Sequence, residues 1–236
     1  MQISVLSGGA AQGLVNALAA QFRAQTGCGI AGTFGAVGAM RDKLLAGAPA
    51  DLLILTRGLI DELVRARHVV PGSVVDLGIV RTGVAVRAGE TAPLVGDAAS
   101  LRSALVAANG IYFPDPKLAT AGIHFAKVLD ALGISGEVGG RLRPYPNGAA
   151  AMQALSQVTD ARVIGCAQVT EILNTPGVTL VGPLPKEFEL ATVYTAGVCI
   201  RAALPSEARR LAALLAGDDA SSTRAQAGFE PTIGNT

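Results

Sequence analysis

A chain of 236 residues, half of them hydrophobic and 16% charged, has enough material for one large domain or two lobes and is too apolar to be disordered. A formal net charge of +1, no run of Lys or Arg, and 4% aromatic residues with no Trp argue against a nucleic-acid surface or a base-stacking platform, so no nucleic-acid partner is expected. Small molecules remain as the expected partners.

Cys28, Cys166 and Cys199 cannot form a complete disulfide set and no two lie at metal-binding spacing, so buried thiols are expected. His68 and His124 add no local zinc cluster, and neither a metal nor a cofactor is expected. No apolar run reaches the roughly 18–20 residues of a membrane span. Met1-Gln2 leads straight into Ile3-Ser4-Val5-Leu6 with no basic segment and long apolar core, so no signal peptide is expected. A cytoplasmic protein is the expectation, and an exported one whose leader was replaced by a new Met is the other possibility.

Residues 3–6 have the pattern of a short buried strand, closed by the loop Ser7-Gly8-Gly9-Ala10-Ala11. Over 12–26 the residues Leu14, Val15, Leu18, Ala19 and Phe22 recur at helical spacing, and Gly27 and Gly29 end that helix. A strand over 30–34 leads into Gly35-Ala36-Val37-Gly38. Glycines at 32, 35 and 38 let the backbone approach a bound group, and the helix predicted over 39–46 offers its N-terminal N–H groups to an anion. A tight turn with no ligand is the other reading. Gly47-Ala48-Pro49-Ala50-Asp51 then turns into an apolar strand over 51–55, where Asp51 is expected to cap or brace the strand. A helix over 59–67 completes a β-α-β-α-β order, the pattern of a parallel, doubly wound sheet.

A strand over 80–87 carries Arg81-Thr82 at its start, and the Gly/Pro/Thr-containing break over 89–95 is a candidate change of lobe. A helix over 99–107 and a strand over 110–113 follow. After the turn Pro114-Asp115-Pro116, Thr120 is placed to cap a helix running to 132. A helix over 148–158, a strand over 162–167, a short helical piece over 170–173, an irregular stretch over 183–185, a strand over 192–200 and a surface helix over 206–215 finish the chain. No repeat of solenoid period is present.

Three loops share one design, small residues between a strand and a helix start: Ser7 to Ala11, Gly35 to Gly38, and Thr120-Ala121-Gly122. A fourth, Tyr145-Pro146-Asn147-Gly148, also precedes a helix. Converging on one cleft, four such termini would hold an oxyanion or a carboxylate; taken singly, each is a turn that any α/β protein contains.

The segments 5–11 and 33–55, the unit Asp115-Pro116…Ala121-Gly122-Ile123 and the pair Gly228-Phe229 resemble molybdate-binding proteins of the type II periplasmic binding protein fold. The similarity runs over nearly the whole chain, and the block from Gly47 to Asp51 is its most specific part. It implies an α/β fold of two lobes joined by crossover strands, with a small anion closed between them in a hinged cleft. Lobe 1 would comprise residues 1–81 and 196–236, and lobe 2 residues 82–195. A transporter partner is implied only for an exported protein.

The site departs from that pattern. Where molybdate binders supply a serine hydroxyl from the first loop, this chain has Ala10; where the second loop supplies another, it has Ala36 and Val37. A tyrosine hydroxyl from the second lobe is replaced by Gln168. A site stripped of three hydroxyl donors loses much of its selectivity for a tetrahedral oxyanion, which speaks against molybdate. Ser7 and Thr120 offer other hydroxyls, and Gln168 and Asn147 offer amides. Arg81 could fork onto a carboxylate or form a surface ion pair. His124 could face the cleft or pack half-buried, and Tyr145 could cover the ligand or pack against Pro144 and Pro146.

The expected function is binding of a small organic carboxylate. The alternative is a cytosolic isomerase, because aconitate isomerase is similar to molybdate-binding proteins. It would remove a proton alpha or gamma to a carboxylate and return it elsewhere on the allylic system. His124 would serve as acid and base while Arg81 and loop N–H groups steady the developing charge. A sensor that reports its ligand to a partner is a third reading.

Overall fold

The chain opens with β1 (Gln2–Gly8), whose residues Ile3, Val5, Leu6 and Ser7 are buried. The structure, a computed structural model, describes residues 1–232. A tight 3-10 turn at Gly9–Ala11 leads into α1 (Gln12–Thr26), which buries Leu14, Val15, Leu18 and Phe22 and stops where Gly27 turns left-handed at φ 70°. β2 (Gly29–Gly35), α2 (Val37–Leu45), β3 (Leu52–Thr56) and α3 (Arg57–Arg65) follow. β2 and β3 lie parallel to β1 on its two sides, as the alternating order predicts. Leu52 to Leu55 are all fully buried, which is the signature of a strand covered on both faces.

β4 (Val75–Arg87) is longer than the strand expected over 80–87. After it come α4 (Ala98–Ala107), β5 (Gly110–Pro114), α5 (Thr120–Ala131), α6 (Ser135–Val138), β6 (Leu142–Tyr145), α7 (Gly148–Gln157), β7 (Val163–Gln168), α8 (Val169–Leu173) and β8 (Val178–Pro183). β9 (Ala191–Val198) lies antiparallel to β3, and α9 (Pro205–Ala216) and α10 (Ser221–Gln226) close the order.

These elements form two compact units. The first is Met1–Val80 with the chain from Thr192 onward, and the second is Arg81–Ala191. The chain passes from one to the other within β4 and again within β9. The break over 89–95, a candidate change of lobe, lies inside the second unit, because the chain has already crossed at Val80 and Arg81 within the 13-residue β4.

In the first unit the strand order is β2-β1-β3-β9-β4, with α1 and α9 packed together over a core that includes Phe22, Ile54, Leu211 and Phe229. In the second unit the order is β4-β7-β5-β6, with β8 on β4. Alternate residues of β5 feed separate apolar clusters: Phe113 joins Leu101, Leu105 and Phe125, whereas Tyr112 joins Met152, Leu155 and Ile172.

Asp51 braces the first unit as expected. Its buried carboxylate accepts from the backbone N–H of Ser4 at 2.8 Å and of Leu204 at 2.9 Å, tying β3 to β1 and to the start of α9. The three cysteines are buried free thiols. Burial, with the Asp51 carboxylate nearby, pushes the Cys199 thiol up to about 12. Among the described residues no helix is long and apolar enough to cross a membrane.

Candidate functional site

In the first unit, parallel pairing brings the C-terminal ends of β1, β2 and β3 to one edge of the sheet. Ser7 lies opposite Phe34 and Gly8 opposite Gly35, so the loop after β1 and the loop after β2 are neighbours. The chain enters α1 through Gly9, Ala10 and Ala11, and α2 begins at Val37 with Ala36 before it. No side chain caps any of these helix starts. Two adjacent starts with uncapped N–H groups form an anion-favouring edge made of backbone. Ala10, Ala36 and Val37 are 2%, 6% and 6% exposed, so apolar side chains line its buried side.

Ser7 does not present the hydroxyl donor expected of it. The residue is fully buried and its Oγ donates to the Gly8 carbonyl at 2.9 Å. Gly8 is required by close packing: a Cβ there would come within 2.7 Å of Val37 Cγ1 and 2.9 Å of Tyr194 Cε1. Tyr194, on β9 opposite Thr56, stands edge-on to Phe229 at 6.4 Å. Arg57 follows β3 at the same edge, but its guanidinium meets Asp61 at 3.0 Å and Asp76 at 3.0 Å, and Thr195 Oγ1 donates to Asp76 at 2.6 Å. The cation is thus matched by two carboxylates.

The second unit repeats the geometry. β6 and β7 run parallel to β5, with Tyr145 opposite Pro114 and Gly165 opposite Tyr112. β4 runs the other way and sets Thr82 opposite Gln168. One sheet edge therefore collects Arg81, Thr82, Tyr145, Asn147, Gln168 and the start of α5 at Thr120.

Several of these groups already serve the protein itself. Arg81 forms an ion pair with Glu189, the outcome that competed with a ligand fork. Asn147 Oδ1 accepts from Ala150 N at 2.9 Å and so caps α7. Gly148 N–H and Ala149 N–H are held by the carboxylate of Glu171, which also accepts from Gln168 N at 3.3 Å. A side chain at 148 would run into that carboxylate. The start of α7 is therefore closed by an internal anion rather than left open to a bound one. Burial outweighs the three backbone donors and raises the Glu171 carboxyl to about 7.

At α5 the cap is Ala119, with no side-chain bond, and Thr120 is the first helical residue rather than the cap. Asp115 Oδ1 instead closes the preceding turn, accepting from Lys117 N at 2.7 Å and Leu118 N at 2.9 Å. Thr120 is half-buried and Ala121 buried. Gly122 presses on the end of β5, where a Cβ would meet the Pro114 and Asp115 carbonyls. Tyr145 stacks on Tyr112 at 6.0 Å. His124 Nε2 lies 2.7 Å from the Phe188 carbonyl, which can only accept, so Nε2 carries the proton and Nδ1 is the nitrogen able to take another.

Gln168 is different. It is 2% exposed and its side chain faces the start of α8 in the manner of a capping box, yet neither end of its amide reaches a partner at hydrogen-bond geometry among the described residues. The hydroxyls of Thr82 and Thr170, 1% and 3% exposed, are in the same condition.

Sequence reading did not single out Thr82, Thr170, Glu171, Tyr194 or Arg57 as functional residues. A signal existed for Glu171: Gln168-Val169-Thr170-Glu171 has the spacing of a capping box, in which the third residue reaches back to the cap N–H. No group of three His, Cys, Asp or Glu able to hold a metal occurs among the described residues.

Two α/β units with uncapped helix starts gathered at the C-terminal ends of parallel strands define a protein of the type II periplasmic binding fold. The periplasmic molybdate-binding protein of Azotobacter vinelandii shares that fold at a TM-score of 0.80, with 20% identity over 98% of this chain and 99% of that one. The sulfate-binding protein of Mycobacterium tuberculosis H37Rv matches at a TM-score of 0.77, with 19% identity over 99% of this chain and 88% of that one. The chain belongs to the bacterial extracellular solute-binding protein family, whose sequence model matches residues 3–230. It is also 26% identical to an aconitate isomerase from Pseudomonas sp. over 97% of its own length and 87% of the relative's.

Proposed function

We propose that this solute-binding protein takes a small organic carboxylate rather than molybdate. One observation carries the reading: two neighbouring helix starts in the first unit offer backbone N–H groups, and the loop residues that lead into them, Gly8 to Ala11 and Ala36, carry no hydroxyl. Ala10, Ala36 and Val37 are apolar there, and Ser7 turns its hydroxyl onto the Gly8 carbonyl. A planar carboxylate has two oxygens to satisfy and is served by such a set of N–H groups. A tetrahedral oxyanion has four, and these two loops add no hydroxyl donor for the two that the backbone leaves over. The relative named aconitate isomerase adds support, since its name gives it a carboxylate substrate.

A thermal-shift screen of oxyanions against mono-, di- and tricarboxylates tests this, because a ligand that binds only the folded protein raises Tm. Stabilisation by one or more carboxylates is expected. Stabilisation by molybdate or tungstate alone would overturn the reading.

The same relative favours a second reading, isomerisation of the bound carboxylate by proton transfer. His124 Nδ1 would take and return the proton, with Nε2 steadied on the Phe188 carbonyl. Incubation of a bound carboxylate in deuterated water, followed by NMR, separates the two. Exchange that disappears in His124→Ala while binding survives supports the enzyme, and no exchange with wild-type protein leaves a binding protein. A transport role brings a membrane transporter as partner and a place outside the inner membrane, whereas the isomerase reading goes with the cytoplasm. Fractionation of cells that make the natural protein distinguishes the two locations.

A further inference from the structure

We infer that Thr82, Gln168 and Thr170 form a hydrogen-bonding subsite in the second unit that takes a hydroxyl group of the ligand, so that the preferred solute is a hydroxycarboxylate. This rests on the carboxylate reading above and narrows it.

Antiparallel pairing sets Thr82 directly opposite Gln168, which places both side chains on one face of the sheet. Thr170 follows in the first turn of α8. All three residues are at least nine-tenths buried, yet the Thr82 hydroxyl, the Thr170 hydroxyl and both ends of the Gln168 amide have no partner among the described residues. Buried polar groups are costly to leave unmatched, and four such atoms on one strand pair and the helical turn that follows it are unusual in a packed interior. They lie at the sheet edge that also carries the starts of α5 and α7, where the neighbouring Glu171 carboxylate is held by backbone N–H groups and Arg81 by Glu189.

The donor and acceptor count decides what would satisfy them. An amide has one end that donates and one that accepts, and exchanging the two leaves the same requirement. A fully deprotonated oxyanion, whether molybdate, sulfate or a plain carboxylate, offers acceptors only. It can satisfy the Gln168 Nε2 hydrogens and the two Thr hydroxyls, but it gives nothing to Gln168 Oε1. A hydroxyl on the ligand donates to Oε1 and accepts from a neighbouring Thr. Sites that hydrogen-bond a ligand hydroxyl reject the analogue that lacks it, because their own groups are then left unpaired.

Isothermal titration calorimetry with two matched pairs, succinate against malate and tricarballylate against citrate, provides the test. In a pair that binds, the hydroxylated member is expected to bind at least about tenfold more tightly, the size of one satisfied buried hydrogen bond. Gln168→Leu should bring that ratio to within about twofold, and Thr82→Val or Thr170→Val should lower it by about threefold or more. If Gln168→Leu fails to fold, as judged by circular dichroism, the two Thr variants carry the test. Equal affinity for the two members, or a ratio unchanged in the variants, would overturn the subsite and leave the carboxylate reading standing. Failure of all four acids alongside binding of molybdate would overturn both.

Discussion

Glu171 closes the helix that begins at Gly148. Its buried carboxylate holds the first two N–H groups of α7 as well as the N–H of Gln168, and Gly148 has no side chain because the carboxylate fills that space. With Asn147 Oδ1 on Ala150 N, the first turn of α7 is satisfied from within the chain. One of the four loops that sequence reading offered as either an anion site or an ordinary turn therefore already has its carboxyl partner.

Gly148→Ala tests this contact. The added methyl must displace a buried carboxylate, an overpacking that costs about 1–3 kcal/mol, with further loss from the N–H bonds given up. Urea denaturation should show a fall of at least about 2 kcal/mol in unfolding free energy. The equivalent change at Gly140, which has nothing within reach of a Cβ, should have little effect.

The same carboxyl makes stability depend on pH. Its folded value, about 7, lies above the ordinary 4.5, so between those limits the folded protein holds a proton that the unfolded chain releases. Stability contributed by Glu171 is then greatest at the acid end, falls as pH rises through that window by about 3 kcal/mol, and is level above it. Glu171→Gln should flatten this slope, measured as unfolding free energy at pH 5, 6, 7 and 8. A slope unchanged by the substitution would contradict the account.

Asp51→Ala leaves two backbone donors, Ser4 N–H and Leu204 N–H, without their carboxylate. Hydrogen bonds to a charged acceptor contribute about 1.5–3 kcal/mol each, so a loss of about 3 kcal/mol or more is expected. Hydrogen exchange should show the effect locally, with faster exchange at Ser4 and Leu204 than in the rest of the first unit.

The apolar residues at the first-unit edge can be converted. Ala10→Ser together with Val37→Ser places hydroxyls at two helix starts where this chain has none. Each new donor to a charged oxyanion is worth about tenfold or more in affinity. The double variant should therefore bind molybdate measurably more tightly than wild type, while its affinity for a carboxylate changes less. Equal molybdate affinity in the two proteins would mean that these positions do not face the ligand.

The alternating strands and helices of the first unit were legible because their signals are local. Leu14, Val15, Leu18 and Phe22 fall on one helical face, and Leu52 to Leu55 form an unbroken buried run. The loops that bring Gly8 beside Gly35 could be read as helix starts for the same reason. β6 was not legible because it is four residues long and carries Arg143 and Pro144; β8 was missed although Val178, Leu180 and Val181 are apolar, because it ends at Gly182-Pro183, which has the composition of a turn. The Thr120 cap failed because Asp115, five residues earlier, had already closed the turn. Glu171 was missed because its partners Gly148 and Ala149 are more than twenty residues away and meet it only when α7 and α8 pack. Engagement of Arg81 by Glu189 and of His124 by Phe188 depends on similar long-range contacts.

The most direct test of the central claim is competitive calorimetry on the unmodified protein, titrating citrate and tricarballylate and then molybdate, tungstate and sulfate at the same ionic strength. The account predicts saturable one-to-one binding of at least one carboxylate and no displacement of it by the inorganic oxyanions at equal concentration. Tight binding of molybdate or tungstate, with neither carboxylate competing, would contradict it.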